Sequence, residues 1–401
     1  MLRKLTLFEF VLLLIFVVSS LKSVFNWWMY MSAFVDFILL IFCLINKDFY
    51  KGNISKIFFI LLLCCVSLFI YDLSSSITLF YLFVGLLSCE YLANKYIIRK
   101  EFIYRLFLYV CIPVSLLSFI LGPYSSIENT NPLSYIPVSN NEWKINVLSW
   151  GATIHGTSLI GLLIFLVSLY NIGVLQKDKW IDNIFLVLGV YFVVFSGSRG
   201  GYITFFLILI LFYINRKRIY VFYSCFILLT TIVVTYSMEL LHDYVNISST
   251  SQLVNSLLKL DYWDSTSGIT SGRSWLWAYH WNLLVGSHYL GVGKDGIDIK
   301  LGELTNTGEI APGATESPAT FLLAAYGPLG VILISIYFYM FLKALRKQKI
   351  FAILLMAMAI SLLIGSGINM FVFIDPYSML FLLLYFNSMK NSNCLNLKIC
   401  V

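Results

Sequence analysis

An arginine flanked by glycines separates two apolar runs near the middle of the chain, in the segment F-S-G-S-R-G-G at 195–201. Glycine allows the backbone to turn sharply and to approach a ligand closely. The second apolar run starts at Gly200 and Gly201, so the free N–H groups and the positive dipole end of the predicted helix face the same turn as Arg199. A guanidinium beside a helix N-terminus favours a phosphate-binding site. The alternative is an interfacial anchor in a tight helical hairpin.

A second arginine, Arg273, begins a stretch with helical periodicity. Trp277, His280, Trp281 and Leu284 follow it at spacings that fall on one helical face. The pattern predicts an amphipathic helix that lies at the membrane surface or plugs the bundle. The tryptophans favour a platform for sugar rings, although tryptophan also forms the aromatic belts of membrane interfaces. Arg273, Trp277, His280 and Trp281 are therefore candidate substrate-binding residues.

Two further segments could carry chemistry. The string G-V-G-K-D-G at 291–296 matches a dinucleotide-binding pattern, but it does not follow a buried strand. We therefore interpret it as a turn in which Lys294 could contact a phosphate. Glu316 precedes Pro318, a residue suited to the first turn of a helix. Its carboxylate is either a general base or a side chain favoured by the helix dipole, and His280 and His288 are the alternative bases.

The composition identifies the kind of chain that must position these residues. Of its 401 residues, 60% are hydrophobic and 12% are charged, which excludes a soluble domain of this size. Because the apolar runs do not alternate with polar residues, they predict helices and not an outer-membrane barrel. We expect an all-α polytopic membrane protein, a single domain over 1–401 with about twelve transmembrane helices. The expected spans are 5–21, 28–46, 56–71, 73–92, 102–121, 151–175, 180–196, 201–214, 219–241, 318–342, 350–368 and 373–389.

Basic residues assign the loops to the two sides of the membrane. Most of the 27 Lys and Arg residues fall in short loops and termini on one side, which the positive-inside rule identifies as the cytoplasm. Both termini are then cytoplasmic, and a long loop at 242–317, predicted to contain amphipathic helices, lies in the periplasm. The net charge of +7 reflects this asymmetry and does not indicate binding to nucleic acid. The outer loops contain no D-x-D pair, so no metal ion is expected.

Four motifs in order resemble those of one membrane-enzyme family. They are F-S-G-S-R-G-G-Y at 195–202, S-G-R-S-x-L-W at 271–277, G-V-G at 291–293, and E-S at 316–317 leading to Y-G-P-L-G at 326–330. In this order they resemble the O-antigen polymerase (Wzy) and O-antigen ligase superfamily. The resemblance implies a GT-C-type glycosyltransferase of the bacterial inner membrane. Its active site would face the periplasm, and its donor would be a glycan on undecaprenyl pyrophosphate.

The resemblance also implies roles for individual residues. Arg199 and Arg273 would hold the pyrophosphate. The ligase branch of the superfamily carries a histidine–asparagine pair where this chain has Glu316 and Ser317. This difference favours a polymerase and makes Glu316 the expected catalytic base. No cofactor is implied, and the expected partners are the lipid-linked oligosaccharide, membrane lipids and a chain-length regulator of the Wzz co-polymerase type.

Two other functions compete with polymerisation. An O-antigen ligase would transfer finished glycan to lipid A-core. A transporter of lipid-linked oligosaccharide would be expected to carry charged residues along many spans and an internal repeat, neither of which is evident in the sequence. Polymerisation is therefore the leading hypothesis.

Overall fold

The computed structural model describes residues 6–21, 43, 45–113, 133–137, 144–148, 154–175, 180–195, 199–216, 227–231, 273–297, 318–365 and 376–390. Within these ranges the chain is mainly helical, which confirms the predicted helical class. One antiparallel strand pair, β1 (Leu133–Pro137) and β2 (Lys144–Leu148), lies in a loop for which the sequence predicted no strands. Most of the predicted spans at 28–46 and 219–241 lies outside the described residues.

The helices follow the predicted spans closely in most places. In chain order they are α1 (Leu7–Leu21), α2 (Lys47–Ile70), α3 (Leu73–Lys95), α4 (Lys100–Leu106, continued by a π-helical turn Phe107–Cys111), α5 (Ile154–Gly173), α6 (Trp180–Phe195), α7 (Arg199–Arg216), α8 (Arg273–Gly286), α9 (Pro318–Tyr326), α10 (Pro328–Arg346), α11 (Ile350–Gly365) and α12 (Pro376–Lys390).

Three of the described helices are long and apolar enough to cross a membrane: Gly52–Ile70 within α2, Leu73–Lys95 and Pro328–Arg346. Shorter apolar helices, including those within α5, α6, α7 and α11, accompany them. α11 lies at the centre, since its side chains from Phe351 to Leu363 are buried and α7, α9, α10 and α12 pack against it. A helix that is apolar on all sides is expected in such a central position.

The predicted span at 318–342 is wrong as one continuous helix, because the chain breaks at Gly327 into α9 and α10. In a continuous helix the carbonyl of Ala324 would accept from the N–H of residue 328, but Pro328 has no N–H. The carbonyl instead accepts from Val292 at 2.9 Å, and that of Ala325 accepts from Gly293 at 2.9 Å. The membrane helix therefore starts at Pro328, and α9 is a separate short helix that packs against α8 and α10. We call α8 and α9 the loop helices.

Two ion pairs are buried at the end of the bundle where α3 ends and α4 begins. Glu9 of α1 is fully buried and accepts from Arg99, whose Nε lies 3.0 Å from Oε1. The next residue, Lys100, lies 3.3 Å from both carboxylate oxygens of Asp182 in α6. The Tyr104 hydroxyl also donates to Asp182, at 2.6 Å. Removing one partner of such a pair costs about 3–5 kcal/mol, so these contacts hold α4 to α1 and α6.

Other basic side chains lie at the same end. Lys343 and Arg346 occupy the last turn of α10. Lys390, the last residue of α12, donates to the carbonyl of Asn94 near the end of α3. We call this the basic end of the bundle. The turns between α2 and α3 and between α9 and α10 lie at the opposite end.

Candidate functional site

The arginine–glycine motif begins α7. Gly200 and Gly201 are buried, and Arg199 is the first residue of the helix. The hydroxyl of Thr204 donates to the Gly200 carbonyl at 2.7 Å and lies 2.8 Å from Ser361 Oγ of α11. These contacts fix the first turn of α7 against the central helix, as a rigid phosphate site would require. The side chain of Arg199 lies outside the described part of the structure.

The connection into this helix is also held. The hydroxyl of Tyr202 donates to the carbonyl of Val194 at 2.6 Å, which joins the first turn of α7 to the last turn of α6. Tyr202 belongs to the motif recognised in the sequence, but its contact was not predicted. The hydrogen bond limits how far the two helix ends can separate around the arginine turn.

The second arginine motif begins α8, as the helical spacing predicted. The backbone of Arg273 is its first residue, and the side chain lies outside the described part. Two turns later, His280 is 1% exposed and its Nδ1 lies 2.9 Å from Thr320 Oγ1 of α9. The ring also packs edge-on to Phe321, with 6.1 Å between centroids. His280 therefore makes a polar contact between the two loop helices.

Burial determines the state of His280. It lowers the pKa of the imidazole to about 4, so the ring is neutral at physiological pH. Nε2 is buried and has no hydrogen-bond partner among the described residues. A neutral ring with one nitrogen held by Thr320 is suited to fix α8 against α9. A general base works best with a pKa near the operating pH, so this pKa does not favour His280 as the base.

The two tryptophans of the candidate sugar platform differ in exposure. Trp281 is 56% exposed and meets Tyr289 at 6.5 Å between ring centroids, with an interplanar angle of 71°. Trp277 is half-buried. Trp281 and Tyr289 therefore present an exposed aromatic surface, whereas Trp277 contributes part of its ring area to packing.

The glycine segment after α8 is a turn at 291–293, as predicted, but a short helical segment begins at Lys294. Gly291 and Gly293 have positive φ angles of 92° and 76°, a region that favours glycine. The backbone N–H groups of Val292 and Gly293 hold this turn to α9 by donating to the carbonyls of Ala324 and Ala325. Lys294 follows it, and its backbone N–H donates to Ser75 Oγ of α3 at 2.7 Å. Lys294 therefore contacts α3 through its backbone, and its side chain is half-buried.

The directions of the helices show which of their ends lie together. Since His280 contacts Thr320 near the start of α9, and Val292 and Gly293 contact its last turn, α8 and α9 run in the same direction. α10 leads away from Gly327 and returns as α11, so Ser361 lies toward the Gly327 end. α7, whose second turn contacts Ser361, must start at that end. The start of α7 and the C-terminal ends of α8 and α9 are thus at the end of the bundle opposite the basic end.

A helix N-terminus attracts anions, so the start of α7 suits a negatively charged ligand. No group of three or more His, Cys, Asp or Glu side chains able to hold a metal ion occurs in the described ranges. Glu316 lies outside the described residues, two positions before α9 begins at Pro318. His288, the other alternative base, is exposed with a left-handed backbone, φ 53°.

One protein family matches the middle of the chain. Residues 184–316 match the O-antigen ligase family. This match confirms the resemblance drawn from the ordered motifs. Neither a curated protein nor a solved structure shows significant similarity to the chain.

The O-antigen ligase match runs from within α6 to Glu316 and contains all the candidate site residues. Thr320, which contacts His280, and Ser75, which contacts Lys294, lie outside it, as does Ser361, which contacts Thr204 in the first turns of α7. Sequence reasoning missed these partners because each is far from the motif along the chain. The O-antigen ligase match supports a function of the ligase or polymerase type and does not distinguish the two.

Proposed function

We propose that this chain is an O-antigen or related surface-polysaccharide polymerase of the bacterial inner membrane. It transfers the growing glycan from undecaprenyl pyrophosphate to the non-reducing-end sugar of an incoming lipid-linked repeat. The observation that carries this proposal is the start of α7, with its arginine–glycine motif, at the end of the bundle where the turn after α8 and the last turn of α9 are held. The basic residues at the other end support cytoplasmic termini and a periplasmic site through the positive-inside rule.

The chemistry follows from charge stabilisation. The acceptor hydroxyl attacks the anomeric carbon and gives its proton to the Glu316 carboxylate. The bond from that carbon to the pyrophosphate oxygen breaks, and the electron pair leaves with the pyrophosphate. Arg199, Arg273 and the N-terminus of α7 stabilise this charge, which is most effective where water is excluded. A single displacement inverts the anomeric configuration. The two guanidinium groups supply the positive charge that a metal ion would otherwise provide.

The remaining candidates bind substrate in this proposal. Gly200 and Gly201 bring backbone N–H groups close to the pyrophosphate. The exposed ring of Trp281, with the part-exposed Trp277, packs against sugar, and Lys294 adds a positive charge. His280 supports this surface by fixing α8 to α9. A Wzz-type chain-length regulator is the proposed protein partner.

Lipopolysaccharide from a deletion strain tests the proposal. We expect core carrying a single repeat and no ladder, because one unit can still be ligated when none can be joined. The measurement is a silver-stained gel, with the wild-type gene on a plasmid as the restoring control. An unchanged ladder would refute a polymerase.

A ligase is the second candidate, because the match to the O-antigen ligase family does not distinguish a ligase from a polymerase. The same gel separates the two. Loss of all glycan from the core, with polymer remaining on undecaprenyl pyrophosphate, would support the ligase. In that case the Glu316 carboxylate would occupy the position of the ligase histidine.

We expect Glu316→Gln to abolish polymer formation, since it keeps the shape of the side chain and removes the proton acceptor. His280→Asn should remain active, because an amide can replace Nδ1 in the contact with Thr320. Purified variants would be compared in a polymerisation assay with lipid-linked repeats as substrate. His288→Ala tests His288, the third candidate for the general base, in the same assay.

The opposite pattern would reassign the base. If Glu316→Gln were fully active while His280→Asn or His288→Ala bound the lipid-linked donor without turnover, that histidine would be the base. Glu316 would then be a carboxylate favoured by the helix dipole, worth only about 0.3–1 kcal/mol to stability.

A further inference from the structure

Tyr71 directly follows α2 and contacts two segments that are far away along the chain. Its hydroxyl donates to the carbonyl of Tyr326 at 2.9 Å and to that of Leu290. Its ring meets the ring of Tyr326 edge-on, with 6.2 Å between centroids and an interplanar angle of 81°. Tyr326 is the last residue of α9, and Leu290 lies in the turn after α8. One side chain therefore bridges both loop helices.

The same hairpin makes a second contact with the loop. Ser75 Oγ, which accepts from the backbone of Lys294, donates to Asp72 Oδ2 at 2.8 Å. Asp72 also caps α3 by accepting from the Ser75 N–H at 2.5 Å. The acceptor for the loop is thus oriented by the helix cap. The turn between α2 and α3 holds the loop at two points separated by a few residues.

These contacts come from a part of the chain that the family match does not cover. α3 packs on α12, and α12 packs on α11, against which the arginine helix α7 lies. The hairpin therefore connects the bundle carrying Arg199 with the loop helices led by Arg273 and Pro318. If this connection loosened, the distance between the two arginines would vary.

We propose that Tyr71 is a positioning residue that fixes the loop helices α8 and α9 relative to α7 through its two carbonyl contacts. This inference rests on the proposed glycan transfer, in which Arg199 and Arg273 act on one pyrophosphate. A 1 Å displacement of such groups lowers turnover more than binding, because they act mainly on the charge that develops in the transition state.

Tyr71→Phe removes the hydroxyl and keeps the ring. We expect about tenfold lower kcat with KM within about twofold of wild type. The assay uses purified protein and lipid-linked repeats extracted from a deletion strain. Tyr71→4-aminophenylalanine, which restores a donor at the same position, should recover most of the turnover. Tyr50→Phe is the matched control, since Tyr50 is 40% exposed at the start of α2, toward the basic end.

Hydrogen exchange provides a readout that does not depend on activity. Tyr71→Phe should accelerate exchange of the Val292 and Gly293 amides, which donate to α9, and leave the middle of α3 unchanged. Normal kcat in Tyr71→Phe, or a loss that the amino variant does not recover, would overturn the positioning role while polymerisation by wild type stands. If the wild-type chain transferred no glycan, the proposed function would fail and the role of Tyr71 in it would fail too.

Discussion

Arg199→Ala and Arg273→Ala are each expected to abolish the polysaccharide ladder while the protein remains in the membrane at normal abundance. Each arginine is the first residue of a helix, and the dipole at a helix N-terminus favours an anion. Loss of one charge-stabilising donor typically lowers turnover by about 10²–10³-fold. Gel ladders and initial rates on purified protein would measure the effect.

Lysine substitutions sharpen this test. Arg199→Lys and Arg273→Lys keep the charge but lose the planar fork that can bind two phosphate oxygens, so both should be impaired. Lys56→Ala is the matched control. Lys56 pairs with Glu90 in an exposed ion pair, 3.4 Å apart, and such pairs contribute at most about 1 kcal/mol. Wild-type ladder lengths in both alanine variants would rule out the pyrophosphate clamp.

Gly327→Ala is expected to lower the stability of the protein by about 3 kcal/mol and to remove activity. Gly327 has φ 48° and ψ −117°, a backbone conformation that a residue with a Cβ rarely adopts. An added Cβ would also overlap the carbonyl oxygens of Tyr289 and Leu290. The turn after α8 would have to separate from the start of α10.

Unfolding in detergent with increasing denaturant would measure the loss. Gly286→Ala is the control, because Gly286 is the last residue of α8 and an added Cβ there meets no described atom within 4 Å. It should be neutral or slightly stabilising, as alanine favours helix over glycine. Equal stability of both variants would mean that the Gly327 turn can relax without cost.

The sequence allowed prediction of the elements that depend on local pattern. Apolar runs located most described helices within a few residues, and the spacing from Arg273 to Leu284 located α8. The break at Gly327 was missed although Gly-Pro is a strong turn signal. The apolar run continues through it, and a hydropathy pattern does not record which N–H groups are absent.

The contacts that organise the site could not be predicted in this way. His280 meets Thr320 and Tyr71 meets Tyr326 across long stretches of chain, and nothing in the spacing of these residues indicates a partner. The buried pairs Glu9–Arg99 and Lys100–Asp182 were hidden for another reason. Arg99 and Lys100 were assigned to a loop between two predicted spans, and the spacing did not indicate that each pairs with a completely buried carboxylate inside another span.

The carbonyl of Ala324 can serve either a longer helix or the turn after α8, and these two structures compete for one acceptor. Pro328 removes the first competitor, because it has no hydrogen to offer. Detachment of the turn would therefore leave this oxygen without the usual helical donor, at a cost of about 1–3 kcal/mol if it stayed buried. A single proline at the start of α10 thus biases the turn after α8 toward its attached state without contacting that turn.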